Sequence, residues 1–179
     1  THSSAQLWKE YFDAATMQIR VRNVDSAVFY FDKALLELKN HSAGSGIHAD
    51  VLCNYADFCY KIQEFSKAEK LLQEAITIQE KLPAGKDTLY AATINYLGSV
   101  YRQQGKYKDS ERLTKEAKQI RETLLGKKNP LYASSCFNLG LLYRQMGQLQ
   151  NSETYYLETI ELYLALYGRE SANYAYACN

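Results

Sequence analysis

Amide and basic side chains recur along the sequence at spacings that suit non-covalent recognition of a polypeptide. The set comprises Arg20, Asn54, Lys61, Asn95, Ser99, Arg102, Gln103, Asn138, Arg144 and Gln145. An asparagine side chain offers a donor and an acceptor that can pair with the backbone amide of an extended peptide. An arginine can hold a carboxylate through two parallel hydrogen bonds. These residues therefore predict a surface that binds an extended peptide segment carrying Asp or Glu.

The cations of this set also have a simpler interpretation. Lys61, Arg102 and Arg144 come late in their predicted helices, where a positive charge interacts favourably with the negative end of the helix dipole and stays solvated. Asp50 and Asp57 weaken the positive potential near Asn54 and Lys61. Both interpretations are open at the level of sequence, and peptide binding is the working prediction.

Residue patterns for catalysis, metal binding and cofactor binding are missing from the sequence. It contains no Ser, His and acid trio, no HExxH and no nucleophile elbow, and Gly44-Ser45-Gly46 lacks the preceding strand of a dinucleotide loop. The four cysteines form no CxxC pair, and the three histidines do not share metal-ligand spacing with them. We therefore predict a protein that is not an enzyme, with no catalytic residue, no metal and no cofactor. The cysteines, including Cys136 and Cys178, are interpreted as small packing residues, with a redox or metal role as the alternative.

Composition indicates a folded protein with little net charge. The chain has 179 residues, of which 46% are hydrophobic and 23% charged, and its formal net charge is +1. This balance gives no global attraction to nucleic acid, so we expect a protein or peptide partner and no nucleic acid. No apolar run approaches the roughly 18 residues of a membrane span, and no secretory leader is recognisable. We expect a cytoplasmic protein without membrane insertion.

The candidate residues belong to an internal repeat. The segment YRQQGKY occupies 101–107 and YRQMGQL occupies 143–149, so the period is 143 − 101 = 42 residues. Such a period is typical of arrays in which each repeat packs on its neighbours. We predict a single array over 1–179, with repeats at about 7–48, 49–90, 91–132 and 133–174 and the start of another at 175–179. The array is expected to be an excerpt from a longer one.

Each repeat contains two helical patterns joined by a short break, and small residues recur at three places in it. The eighth, twentieth and twenty-seventh places hold Ala15, Ala27 and Ala34; Ala56, Ala68 and Ala75; Gly98, Ser110 and Ala117; and Gly140, Ser152 and Thr159. Helices approach each other closely only where side chains are this small, so these places predict helix crossings. Asp87, Asn129 and Ser171 fall at one further place, where each is suited to cap the next repeat's first helix.

This pattern resembles the tetratricopeptide repeat, which has small residues at the same three places and an aromatic at the eleventh, here Tyr101 and Tyr143. The 42-residue length, with YRQQGKY, SERLTKEAKQIRETLLG and KNPLYA, is similar to the cargo-binding repeats of kinesin light chain, and to nephrocystin-type proteins with the same long repeat. The resemblance implies an all-α fold, a right-handed superhelical solenoid of antiparallel helix pairs. It also implies that one side of each first helix lines a concave groove that binds partners.

Two departures from known patterns bear on the partner. Each of the last three repeats keeps one Asn where kinesin light chain repeats have a pair, and Phe12 and Thr16 replace the Lys and Asn of a carboxylate clamp. The resemblance therefore implies a cargo-adaptor-like protein that does not bind chaperone tails. Alternatives are a structural scaffold that assembles through its convex face or its ends, and a peptide-sensing regulator of an enzyme. Trp8 is interpreted as a packing residue of the terminal helix, with contact to a partner as the alternative.

Overall fold

A computed structural model describes residues 6–169, 171, 172 and 175, and the described part contains α-helices and no strands. Eight helices span α1 Leu7–Arg20, α2 Val24–His41, α3 Gly46–Lys61, α4 Phe65–Gln79, α5 Thr88–Gln103, α6 Tyr107–Leu125, α7 Pro130–Gln145 and α8 Leu149–Tyr167. The predicted further helix at 175–179, apart from Ala175, lies outside the described residues, as does Cys178.

The chain forms two compact units. The N-terminal unit, Thr1–Gly85, contains α1 to α4, and the C-terminal unit, Lys86–Asn179, contains α5 to α8. Within each unit, consecutive helices pack as pairs, and the second helix of the first pair contacts the first helix of the next. A turn of three residues joins the two helices of each pair, so the paired helices run antiparallel. The predicted all-α fold of helix pairs is confirmed, whereas the single array over 1–179 stays a prediction.

The small residues lie buried between paired helices, as predicted. Every one of the twelve is buried. In the C-terminal unit the crossing is also hydrogen-bonded, because the Ser110 hydroxyl donates to the Gly98 carbonyl oxygen at 2.7 Å. The Ser152 hydroxyl makes the equivalent bond to the Gly140 carbonyl oxygen at 2.9 Å. These bonds satisfy hydroxyls that would otherwise be buried without a partner, which would cost about 1–3 kcal/mol each.

The first helix of each later repeat begins at a capping side chain. The Asp87 carboxylate accepts hydrogen bonds from the backbone N–H groups of Leu89 and Tyr90, each at 2.9 Å. The Asn129 side chain accepts one from the N–H of Leu131 at 2.8 Å. These caps start α5 and α7 three residues before the predicted repeat boundaries at 91 and 133. Each cap satisfies helix N–H groups that have no partner within the helix.

The three-residue turns need a positive φ at their middle residue, and the two units supply it differently. Gly105 and Gly147 have φ of 74° and 73° in the C-terminal unit, whereas Arg22 and Gln63 have φ of 60° and 65° in the N-terminal unit. A side chain in this left-handed region costs about 1–2 kcal/mol relative to glycine. The turns of the N-terminal unit are therefore strained by their sequence.

A reciprocal exchange at these turns should shift stability in opposite directions. Gln63→Gly is expected to raise the free energy of unfolding by up to about 1 kcal/mol, because it relieves the left-handed backbone. Gly105→Gln is expected to lower it by a similar amount. Urea unfolding followed by circular dichroism measures both changes, and opposite signs are required. Equal signs would contradict the assignment of strain to the turn.

Stability of the N-terminal unit should fall in mild acid because of one buried histidine. His48 is 3% exposed, its Nδ1 accepts from the Gly44 N–H at 3.4 Å, and its Nε2 lies 3.9 Å from Glu74 Oε1. Burial lowers the pKa of His48 below 6.5, with Glu74 opposing the shift and Lys39 adding to it. The unfolded chain therefore takes up this proton first, so the contribution to stability is complete above pH 6.5 and is lost as the pH falls below it.

The change is measured as the thermal midpoint at about pH 7.5 and about pH 5.5, where the parent protein should melt earlier in acid. His48→Gln should show a smaller difference between the two conditions. His41→Gln, which alters an exposed histidine paired with Glu37, serves as the control and should behave like the parent. A His48→Gln variant with the parent's full acid sensitivity would show that other groups cause the loss.

Candidate functional site

The predicted peptide-binding residues all lie on first helices of repeats, but they differ in exposure. Arg20 lies on α1, Asn54 and Lys61 on α3, the four residues 95, 99, 102 and 103 on α5, and the three residues 138, 144 and 145 on α7. Asn95 is buried, with 7% exposure. The half-buried members are Ser99, Arg102 and Asn138, and the exposed ones are Arg20, Asn54, Lys61, Gln103, Arg144 and Gln145. The set is therefore accessible with one exception.

On α5, three members of the set share one side of the helix. Asn95, Ser99 and Arg102 are spaced i, i+4 and i+7, which places them in one row. The Ser99 hydroxyl donates to the Asn95 carbonyl oxygen at 3.3 Å, whereas the side-chain Oδ1 of Asn95 accepts no hydrogen bond. A buried acceptor without a donor is unfavourable, and a ligand N–H reaches this Oδ1 only when the side chains that cover it move.

The row on α7 differs from the row on α5. Counting 42 residues on from Asn95, Ser99 and Arg102 gives Phe137, Leu141 and Arg144, so the aromatic Phe137 stands where α5 has an asparagine. The Phe137 ring lies 5.7 Å from the Tyr156 ring of α8. Asn138 and Gln145 belong to the adjacent row, seven residues apart. The asparagines of α5 and α7 therefore do not occupy equivalent positions.

Arg102 and Arg144 stand at the same place in successive first helices, and neither has a carboxylate partner within the part of the chain that the structure describes. Two lysines of the neighbouring helix α6, by contrast, have glutamate partners. Lys115 contacts Glu111 at 2.6 Å, and Lys118 contacts Glu158 at 3.5 Å. Hydrogen bonds from Lys115 and from the Tyr143 hydroxyl lower the pKa of Glu111, so this carboxylate is held in its charged form.

In the N-terminal unit the corresponding face carries its own carboxylates. Lys61 pairs with Asp57 one helical turn before it, and the Asn54 amide donates to the Asp50 carbonyl oxygen at 2.8 Å. Lys61 is therefore a neutralised cation. Arg20 is the predicted binding residue of this unit that is cationic and has no carboxylate partner in the described part of the chain. The positive character predicted for every repeat is thus strongest in the C-terminal unit.

Sequence reasoning missed a cavity in the N-terminal unit. It has a volume of about 270 Å³ and lies between α1 and α3, where Trp8, Phe12, Ile47 and Val51 form its apolar lining. Asp13 and Asp50 also line it. The signal was present, because Asp13 and Asn54 occupy the sixth place of their repeats and Asp50 the second, both on the predicted binding side.

The described residues include neither a metal-binding cluster nor a membrane-spanning helix. No group of three or more His, Cys, Asp and Glu side chains there could hold a metal ion. None of the described helices has both the length and the hydropathy of a membrane-spanning segment. Cys59 and Cys136 are buried thiols, and burial raises the pKa of Cys59 to about 11 and that of Cys136 to about 12. These two thiols are therefore protonated and poorly nucleophilic at neutral pH.

The helix pairs and their crossings define a helical repeat protein of the tetratricopeptide class. The family model described as "Tetratricopeptide repeat" matches residues 47–123 and 89–165. Together the matches cover 165 − 47 + 1 = 119 of 179 residues, so the chain belongs to the tetratricopeptide repeat family. No curated protein sequence matches the chain.

Solved structures share the fold at low sequence identity. A crystal structure of a Podosopora anserina putative kinesin light chain with nearly identical TPR-like repeats has a TM-score of 0.81 and 16% identity, over 99% of this chain and 83% of that one. BtubC (BKLC) from P. vanneervenii has a TM-score of 0.67 and 19% identity, over 100% of this chain and 64% of that one. MamA has a TM-score of 0.59 and 17% identity, over 87% and 77%. The chain therefore spans less than two thirds of the BtubC chain, and the predicted kinesin light chain-like fold is confirmed.

Proposed function

We propose that the protein is a non-catalytic cytoplasmic adaptor whose C-terminal unit binds an extended acidic peptide segment of a partner protein. The binding surface is the first-helix face, defined as the exposed and half-buried side of α5 and α7 that carries Ser99, Arg102, Asn138 and Arg144. Tetratricopeptide repeats mediate protein–protein interaction, which supports the general role. The resemblance of the segments YRQQGKY and KNPLYA to the cargo-binding repeats of kinesin light chain motivates the cargo-adaptor-like role.

The observation that carries the proposal is a pair of arginines with no carboxylate partner among the described residues. Arg102 and Arg144 recur at the period of the repeat, while lysines of α6 are paired with glutamates. Each free guanidinium can bind an Asp or Glu side chain through two parallel hydrogen bonds, and such charge-assisted bonds are about twice as strong as neutral ones. An extended chain with acidic residues in register would occupy both.

Amide and hydroxyl groups would hold the peptide backbone between the arginines. The Oδ1 of Asn95 accepts no hydrogen bond within the described residues, and it would accept one from a peptide backbone N–H once the side chains that cover it move aside. Asn138 and Gln145 offer a further donor and acceptor each along α7, and Gln103 does so along α5. Arg20, Asn54 and Lys61 are proposed as weaker contributors, because the acidic residues of the N-terminal unit reduce attraction for an acidic ligand.

A matched peptide series tests this function. A fluorescein-labelled peptide of ten residues with Glu at alternating positions should bind at least about tenfold more tightly than the same peptide with Gln, since the two ion pairs lost together contribute about 1.4 kcal/mol or more. Its affinity should also fall as salt is raised, because exposed charges are screened. Fluorescence anisotropy measures both. Equal affinity of the Glu and Gln peptides would refute recognition of acidic residues.

A further inference from the structure

The cavity of the N-terminal unit differs in chemistry from the arginine-bearing face. Its walls are the side chains of Trp8 and Phe12 from α1 and of Ile47 and Val51 from α3. Ile47 is 48% exposed although it is a large apolar residue. Pockets for drug-sized ligands have volumes of about 300–1,000 Å³, so a cavity of about 270 Å³ suits a single apolar side chain better than a whole small molecule.

Two carboxylates border the cavity. Neither Asp13 nor Asp50 has an ion pair or a side-chain hydrogen bond within the described part of the chain. Partial burial raises the pKa of Asp50, and both carboxylates are exposed, so a ligand can reach them. Lys9 is the one cation among the lining residues, so the carboxylates outnumber it two to one. A cation from a ligand is the group that compensates this excess.

The cavity continues along α1. Asp13 also lines an open depression of about 460 Å³ with Thr16, Met17, Arg20 and Val21. Met17 and Val21 are exposed apolar residues there. Asp13 therefore lies between an apolar cavity and an open, partly apolar depression. This arrangement suits an extended chain, which can place one side chain in the cavity and run along α1.

We infer that this cavity binds an apolar side chain of an extended peptide in which the next residue is Lys or Arg. The apolar side chain contacts Trp8, Phe12, Ile47 and Val51, and the neighbouring cation pairs with Asp13 and Asp50. This subsite goes beyond the proposed acidic-peptide function, because it uses no residue of the C-terminal unit and selects the opposite charge.

The lone tryptophan makes occupancy measurable. The chain has one Trp, at position 8, so intrinsic tryptophan emission reports on this cavity. The probes are three acetylated octapeptides of Gly and Ser that carry Leu-Lys, Ser-Lys or Leu-Glu at their centre. The Leu-Lys peptide should shift the Trp emission along a saturating curve, and the other two should bind about tenfold or more weakly. No shift with Leu-Lys, or an equal shift with all three peptides, would overturn the inference.

Matched variants assign the effect to named side chains. Asp13→Asn with Asp50→Asn should reduce Leu-Lys binding to the level of Ser-Lys or below, whereas the exposed control Glu153→Gln should not. Ile47→Ser should weaken binding, while Leu89→Ser, which alters the second residue of α5 as Ile47 is the second of α3, should not. The reversal of Arg102 and Arg144 to Glu should leave Leu-Lys binding unchanged, so this inference and the proposed function can fail separately. Loss of binding in the controls as well would overturn the assignment to this cavity.

Discussion

Replacing Arg102 and Arg144 together by Glu should reduce affinity for the acidic peptide by about 100-fold or more, without unfolding the protein. A hydrogen bond to a charged group contributes about 1.5–3 kcal/mol, and each 1.4 kcal/mol corresponds to a factor of ten, so two lost contacts account for this loss. Reversal adds repulsion to the loss. Neither arginine has an ion pair in the described part of the chain, so its replacement breaks none there. Anisotropy titrations and thermal melts measure the two effects.

A charge-matched control separates local binding from general electrostatics. Lys108→Glu with Lys128→Glu makes the same change of net charge in the C-terminal unit at two exposed positions outside α5 and α7. This control should lose only a small part of the affinity, and Arg102→Gln with Arg144→Gln should give an intermediate loss. Equal losses in the two reversed variants would mean that the peptide senses the overall field rather than the two arginines.

Gly98→Leu should be the most destabilising of the substitutions considered for the C-terminal unit. A Cβ atom added at Gly98 would lie 2.6 Å from Thr114 Oγ1 and 3.3 Å from the Ser110 carbonyl oxygen. The remaining leucine atoms have no space at this crossing, so α5 and α6 must separate. Overpacking of this kind costs on the order of 1–3 kcal/mol, with Gly98→Ala at the lower end. Chemical unfolding monitored by circular dichroism measures the loss.

Two comparisons show whether the crossing is the cause. Ala92→Leu places the same side chain on an exposed position of the same helix and should change stability by less than about 0.5 kcal/mol. Thr114→Ala removes the atom closest to the added Cβ, so the pair Gly98→Ala and Thr114→Ala should be less destabilising than the sum of the single changes. Strict additivity would contradict the predicted clash.

The fold could be predicted from the sequence because packing constraints repeat with the period. Small residues are required wherever paired helices cross, and a cap is required wherever a first helix starts, so both recur every 42 residues in the later repeats. The buried positions of Gly98 and Gly140 and the caps of Asp87 and Asn129 follow from this. These features depend on the backbone, which each repeat reproduces.

The exposure of residues on the first-helix face was less predictable, because the burial of a side chain on a helix depends on the size of the neighbouring side chains. The fifth place of a repeat holds a buried asparagine in α5 and an aromatic packed on Tyr156 in α7, although both have the same helical angle. The rotation of about 100° per helical residue predicted an accessible Asn95, whereas the structure buries it. The cavity beside Trp8 was missed for a related reason, since its walls come from two helices whose separation the period does not specify.

Contacts between a second helix and the following repeat were also beyond sequence reasoning. Arg121 is 3% exposed, and its guanidinium donates to the Leu131 carbonyl oxygen and the Ser135 hydroxyl, each at 2.8 Å. Burial lowers the pKa of Arg121 to about 10. On charge alone Arg121 resembles any exposed cation of an amphipathic helix, and only the packed structure separates it from Arg102 and Arg144.

Side-chain NMR during titration with the Glu-containing peptide reports on the arginines of the first-helix face individually. The Nε–H signals of Arg102 and Arg144 and the amide signals of Asn138 should shift together and saturate at one peptide concentration, while Arg112 and Arg121 of α6 stay unchanged. Shifts confined to α6 and α8, with the arginines of α5 and α7 unmoved, would contradict binding of the peptide at the first-helix face.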